Sequence, residues 1–169
     1  ADAVMLSGET SVGAFPLEVI KQMRRIIESV ENSPLIKIPD QSIGCINERY
    51  ITKVICHQAA ILADGISAEV ITTLTDTGYT AFHISSWRPK SNILVFSSNR
   101  RILAMLNLLW GVKGVFYDRF VSTDETIEDI NRMGFERGYL KEGDFAINIT
   151  SMPVKERGMA NTLRITQYK

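Results

Sequence analysis

The hydrophobic positions fall into short unbroken runs and longer stripes, and the two kinds alternate along the chain. Val70-Ile71-Thr72-Thr73-Leu74, Ile93-Leu94-Val95-Phe96, Gly114-Val115-Phe116-Tyr117 and Phe145-Ala146-Ile147-Asn148-Ile149-Thr150 are runs of strand length. Their near-continuous apolar character fits strands covered on both faces. Thr162-Leu163-Arg164-Ile165-Thr166 alternates instead, as a half-covered strand does. Between the runs the spacing changes to three and four. Ile51, Val54, Ile55, Gln58, Ala59 and Leu62 mark a helix face that Asp64-Gly65 is expected to stop. A helix starts near Tyr79 and ends before Trp87-Arg88-Pro89, because a residue before proline leaves the helical region readily. Ser97-Ser98-Asn99 caps a helix whose Ile102, Leu103, Leu106 and Leu109 face inward, with Trp110-Gly111-Val112 closing it. Ser122-Thr123-Asp124-Glu125 has capping-box spacing and opens a helix carrying Ile127, Ile130 and Met133, which Gly138 ends. Strand–helix alternation of this kind predicts an α/β fold, a three-layer α/β/α sandwich around a mostly parallel sheet. The last two strands are joined without a helix, which predicts an antiparallel pair at one edge.

The first third reads differently. Ala3-Val4-Met5-Leu6 has the pattern of a buried strand, with Ser7-Gly8-Glu9-Thr10 after it. Pro16 suits the first turn of a helix, and Ile20, Met23, Ile27 and Val30 continue it to about Val30. Asn32-Ser33-Pro34 breaks that helix. Residues 33–48 hold Pro34, Pro39 and Gly44 among scattered charges and read as a linker containing a domain boundary. The chain opens on Ala and runs at once into the apolar stretch, as if cut inside an element. A first strand without a neighbour is expected to be disordered, or borrowed by another molecule, up to about residue 15.

With 169 residues there is enough chain for a real core. Lys+Arg and Asp+Glu both number 19, so no net positive field draws in nucleic acid or an anionic membrane. No apolar run reaches membrane-spanning length and no secretion signal is visible. Cys45 and Cys56 cannot make a disulfide framework, and a reducing, cytoplasmic setting is expected. Cys56 reads as a small buried hydrophobe and its neighbour His57 as partly exposed.

Candidate chemistry narrows to anion binding. No Ser/His/Asp set, metal-ligand cluster or nucleotide-hydrolase loop is visible, and the aspartates sit in turns and caps. Trp87 and Trp110 adjoin helix ends and read as core or interface. What stands out is the turn Thr75-Asp76-Thr77-Gly78-Tyr79-Thr80 between a strand and a helix. Free amides and the positive helix end face outward together there, and threonine hydroxyls add donors. The same residues also make ordinary capping chemistry, and spacing alone leaves both readings open. The loop from Pro153 to Asn161 follows another strand at its carboxyl end, where ligands of open α/β sheets collect. Its Lys155 and Arg157 bring charge, and Gly158 admits close backbone approach. Taken alone it is equally a solvated loop.

Asp2-Ala3-Val4-Met5-Leu6-Ser7-Gly8-Glu9-Thr10, with Gly13, Pro16, Leu17 and Glu18, resembles the pyruvate kinase family where its catalytic barrel ends. Thr75 to Thr80, Trp87-Arg88-Pro89, Leu109-Trp110-Gly111-Val112, Lys141-Glu142-Gly143-Asp144 and Asn161-Thr162-Leu163-Arg164-Ile165 resemble its C-terminal domain in order and spacing. The resemblance implies the last strand and helix of a truncated (β/α)8 barrel over residues 1–32, a linker over 33–48 and a regulatory domain over 49–169. It implies a parent that moves phosphate from phosphoenolpyruvate to ADP with magnesium and potassium, as a cytoplasmic homo-tetramer. The piece itself would be inactive and hold no cofactor. Ser7 and Glu9 would lie near the substrate end of the barrel strand. An effector phosphate, from a sugar phosphate or a nucleotide, would sit in the turn Thr75 to Thr80. Two features depart from the family pattern: the basic residue often found at Tyr79 is absent, and residues 117–138 lack the tryptophan and arginine that some members use for a second phosphate. Fructose bisphosphate, a sugar monophosphate, AMP or no effector all stay open. The alternative to a fragment is a self-standing phosphate-binding or oligomerisation module.

Overall fold

The computed structural model describes residues 1–33, 49–119, 122–152 and 159–169. The chain divides into two compact units, Ala1–Asp40 and Gln41–Lys169.

In the first unit, α1 (Gly8–Ser11) is a single turn and α2 (Pro16–Glu31) is the amphipathic helix the spacing predicts. Pro16 occupies its first turn, where the missing amide proton costs nothing. Arg24 pairs with Glu28 at 2.6 Å and Lys21 with Glu18 at 2.9 Å along the wet side. No strand forms at residues 3–6. Met5 is 87% exposed, because a strand needs a neighbour's backbone to pair with and none of the described residues supplies one. The stripe of α2 is likewise left open, with Ile20 54% and Val30 52% exposed.

The second unit carries the sheet. Its elements are α3 (Tyr50–Ile66), β1 (Val70–Leu74), α4 (Tyr79–Ser86), β2 (Asn92–Ser97), α5 (Arg100–Leu106), β3 (Val112–Phe116), α6 (Thr123–Glu136), β4 (Phe145–Thr150) and β5 (Thr162–Gln167). The strand order is β3-β2-β1-β4-β5. β1 runs parallel to β2, with Val70 opposite Asn92, and parallel to β4, with Val70 opposite Ala146. β2 and β3 are parallel; β4 and β5 are antiparallel, with Thr150 opposite Thr162. The expected parallel sheet with one antiparallel edge pair is therefore present.

Two cores lie on its two faces. Ile71, Ile93, Val95, Ile147 and Ile149 pack against Cys56, Ala59 and Ala63 of α3, Ala81 and Ile84 of α4, and Leu106 of α5. The alanines let α3 approach the strands closely. Val70, Leu94, Phe96, Val115 and Ala146 face Ile130 of α6 and Leu140 on the other side. These are the three layers. The α6 side also buries a polar ladder. The Thr72 hydroxyl donates to Asn148 Oδ1 at 2.8 Å, and Asn148 Nδ2 and Asn131 Nδ2 each donate to Thr166 Oγ1 at 2.9 Å. Buried polar groups are tolerated when they find such partners.

Three boundaries differ from expectation. Gly65 lies inside α3, and Ser67 ends that helix at φ 52°. The amide of Ala68 returns to the Ala63 carbonyl at 2.9 Å, so the backbone bonding of the last turn outweighs the glycine signal. α5 stops at Leu106, leaving Leu109 outside it. β3 starts at Val112, two residues before the predicted strand, because Ile93 draws Val112 into register. Among the described residues, no helix is long and apolar enough to cross a membrane.

Candidate cleft at the carboxyl ends of the strands

Four parallel strands end side by side, and a cavity of about 420 Å³ opens over their carboxyl ends. Leu74, Phe96, Tyr117 and Thr150 come from the ends of β1 to β4. The turn from Thr75 to Thr80 makes one wall; Ser97, Ser98, Asp118 and Arg119 make the facing one. Arg49 and Thr52 close it from the start of α3, and Ser151, Met159 and Ala160 from the far side of β4. An open α/β sheet receives ligands at the carboxyl ends where its helices change face, and here the helices that follow β1 and β2 pack on one face and the helix that follows β3 on the other.

The turn itself is built by its own side chains. The amide of Thr75 extends the ladder to the Phe96 carbonyl at 3.0 Å. Gly78 N–H donates to Thr75 Oγ1 at 2.9 Å, and Tyr79 N–H to Thr77 Oγ1 at 3.4 Å. Two of the three threonine hydroxyls thus cap the helix as acceptors, while each keeps its proton to donate. What the turn displays is capping chemistry. Gly78 sits at φ 81°, which disfavours any L side chain, and a Cβ there would meet Leu106 Cδ2 at 2.9 Å. Asp76 and Thr77 are exposed, Thr75 and Tyr79 partly buried, Gly78 and Thr80 buried.

One cation was not singled out in the sequence. Arg49 holds its guanidinium 4.5 Å from the Tyr79 ring centre, and the Tyr79 ring meets His83 edge-on at 4.3 Å. Burial holds His83 below its ordinary pKa, and the positive charges of Lys53 and Arg49 press in the same direction. A readable signal existed. Arg49 and Lys53 are four apart at the start of a helix, so they share a face at the end where the helix dipole opposes them.

The remaining predicted residues scatter. Ser7 and Glu9 belong to the first unit; the Ser7 carbonyl accepts the Thr10 hydroxyl at 2.9 Å, and Glu9 is exposed. Lys155, Arg157 and Gly158 lie outside the described residues. Cys56 is buried, as its pattern predicts, with its thiol pushed up to about 12 by that burial. Trp87 is buried against His57, ring centres 4.0 Å apart, and Arg88 lies over Trp110 at 5.1 Å, so both tryptophans are packing residues. Asp129 binds Arg119 at 3.1 Å, Arg132 at 2.5 Å and the Tyr117 hydroxyl at 3.4 Å. Burial pushes its carboxyl up, and the two guanidiniums outweigh that to hold it below the usual range. Among the described residues no three His, Cys, Asp or Glu side chains cluster to hold a metal ion.

A family profile described as "Pyruvate kinase, alpha/beta domain" matches residues 53–166. The chain belongs to the pyruvate kinase family. Pyruvate kinase of Clostridium acetobutylicum is 32% identical over 166 residues, covering 97% of this chain and 35% of the relative. Pyruvate kinase of Agrobacterium vitis is 30% identical over 171 residues, covering 99% and 35%. The crystal structure of Cryptosporidium parvum pyruvate kinase aligns over 100% of the chain and 33% of its own length, at TM-score 0.79 and 26% identity. The chain therefore spans about a third of the pyruvate kinases it matches. The matched alpha/beta region contains the β1–α4 turn and every wall of the cleft except Arg49 and Thr52, which precede it.

Proposed function

We propose that this chain is the regulatory part of a pyruvate kinase and that the cleft over β1 to β4 binds a phosphate-bearing effector. The observation that supports it is the β1–α4 turn. Its polar residues reach a cavity at the amino end of an eight-residue helix, with a guanidinium alongside. The positive helix end, the threonine hydroxyl protons and a flanking cation together suit a phosphate dianion, while the amides of Gly78 and Tyr79 stay with the threonine oxygens. The whole protein would transfer phosphate from phosphoenolpyruvate to ADP, as a cytoplasmic homo-tetramer using magnesium and potassium. Such transfer needs metal ions to neutralise charge on the moving phosphoryl group.

Two measurements test the proposal. The chain alone, given phosphoenolpyruvate, ADP, Mg²⁺ and K⁺, should show no turnover; measurable pyruvate release defeats the claim of inactivity. Calorimetric titration with sugar phosphates and nucleotides should give saturable heat that Thr80→Asp abolishes by placing a like charge in the turn. Equal heats from both chains remove the turn from consideration. Absence of heat from either leaves the domain a scaffold for assembly.

A further inference from the structure

Both histidines of the chain, His57 and His83, lie in the seam between α3 and α4. Arg49, Lys53 and His57 recur every fourth residue from the cap of α3 onward. Tyr79, His83 and Trp87 do the same from the first residue of α4 to its closing cap. Positions four apart share a helix face. The two faces meet rung by rung. The Arg49 guanidinium stands 4.5 Å from the Tyr79 ring centre, and the His57 and Trp87 ring centres are 4.0 Å apart. Lys53 belongs to the rung between, and its charge reaches His83. On its own helix the His83 ring is edge-on to Tyr79 at 4.3 Å and to Phe82 at 5.7 Å. The middle rung therefore sets a titratable base against a fixed cation. The charges that act on His83 are Lys53 and Arg49, both from the α3 side. Asp76, in the turn before α4, lines the cleft with Arg49 and does not reverse their sign at the imidazole. β2, which α4 also packs against, has no charged residue.

We propose that the α3–α4 seam is a proton-sensitive joint, in which protonation of His83 sets a third positive charge against Arg49 and Lys53 and lets α4 part from α3. Neutral His83 completes the packing, whereas an imidazolium there is repelled by its neighbours and short of water. Burial, with the two cations, holds His83 below its ordinary 6.5, so the opened seam takes up a proton before the closed one does. The joint is whole above about pH 6.5 and weakens as pH falls from there toward the lower folded value. α4 is suited to move. It has eight residues and no side-chain hydrogen bond at its amino cap, so it depends on packing to stay helical. Opening one such element takes less free energy than unfolding the sheet. Arg49 and Tyr79 also line the cleft, so opening alters that wall whether or not a phosphate occupies it.

The test is hydrogen exchange of the full chain at about pH 5.5 and about pH 7.5, with NMR titration of the two imidazoles. Exchange is read as protection factors, so that intrinsic rates cancel. Protection of the α4 amides from Phe82 to Trp87 should fall at the lower pH while β1 and β2 keep theirs. The fall is at most about tenfold per pH unit, the limit that one proton sets. His83→Gln should hold α4 protection level across the range. Lys53→Gln should move the His83 midpoint upward and shrink the fall, and His57→Gln should leave the fall in place. Circular dichroism at neutral pH checks that each variant is folded. Lys53→Gln leaves every ring of the seam in place, so it decides the matter if His83→Gln is not folded. Equal α4 protection at both pH values in the parent chain overturns the proposal. So does a fall that survives His83→Gln or vanishes with His57→Gln, or a midpoint unmoved by Lys53→Gln. None of these readings involves a phosphate, so the joint and the effector site stand or fall separately.

Discussion

Replacing Gly78 by alanine combines two costs that the structure allows to be separated. At φ 81° and ψ −2° the backbone is left-handed, where an L residue brings its Cβ against the following carbonyl at a cost of about 1–2 kcal/mol. The new methyl also lands 2.9 Å from Leu106 Cδ2 and 3.5 Å from Ile102 Cγ2. Leu106 is buried in the core on the α3 side, so its side chain can turn only by disturbing neighbours. Overpacking of that kind adds about 1 kcal/mol or more. The expected loss is about 2–3 kcal/mol, read from urea unfolding followed by circular dichroism. Gly78→Asn brings the same Cβ but tolerates left-handed backbone better, so it should lose less than the alanine variant. A change below about 0.5 kcal/mol for Gly78→Ala would refute the reasoning, since surface substitutions of no consequence fall in that range. Equal losses for Ala and Asn would assign the whole cost to crowding.

Two further outcomes follow from buried groups. Asn148→Ala removes the acceptor of the Thr72 hydroxyl and a donor to Thr166 at a fully buried position, and should cost about 2–4 kcal/mol. Asn148→Leu should also destabilise, because Thr72 stays buried without a partner; parental stability in that variant would show the ladder to be dispensable. Burial raises the Cys56 thiol from 9.0 to about 12, so the folded chain keeps a proton that the unfolded chain releases. The stability this group contributes is complete below about pH 9 and is lost as pH rises toward 12, by up to ~1.4 kcal/mol per pH unit. Cys56→Ala should flatten that part of the urea-midpoint profile, and a profile parallel to the parent's would exclude the thiol as its source.

The sheet was readable because its strands announce themselves twice, by apolar runs and by the caps that follow. Ser122 with Glu125 forms both halves of its capping box, and Asn99 accepts from the amides of Arg101 and Ile102. Such bonds span two or three residues, so the sequence alone contains both partners. The misses share the opposite property. The start of β3 is set by pairing with Ile93, nearly twenty residues away, and the end of α3 by where the chain must turn toward β1. The strand pattern at residues 3–6 specifies a strand that finds no neighbour among the described residues. In the cleft, the turn was legible as a turn, but the approach of Arg49 to Tyr79 is a tertiary contact across thirty residues. It belongs to no local motif.

The polar ladder under α6 has a bearing on how β5 is placed. Most of an apolar sheet interior is indifferent to which residue meets which, so long as the faces match. Asn148 is not: it reaches the Thr166 hydroxyl and the Arg164 carbonyl of the last strand at once. Sliding β5 by one residue would turn Ile165 toward the amide and strand both of its protons in a dry interior. Sliding it by two keeps the faces but exchanges Thr166 for Arg164 or Tyr168 at that spot. The ladder acts as a keyed lock that admits the final strand in a single alignment, whatever path the preceding loop takes.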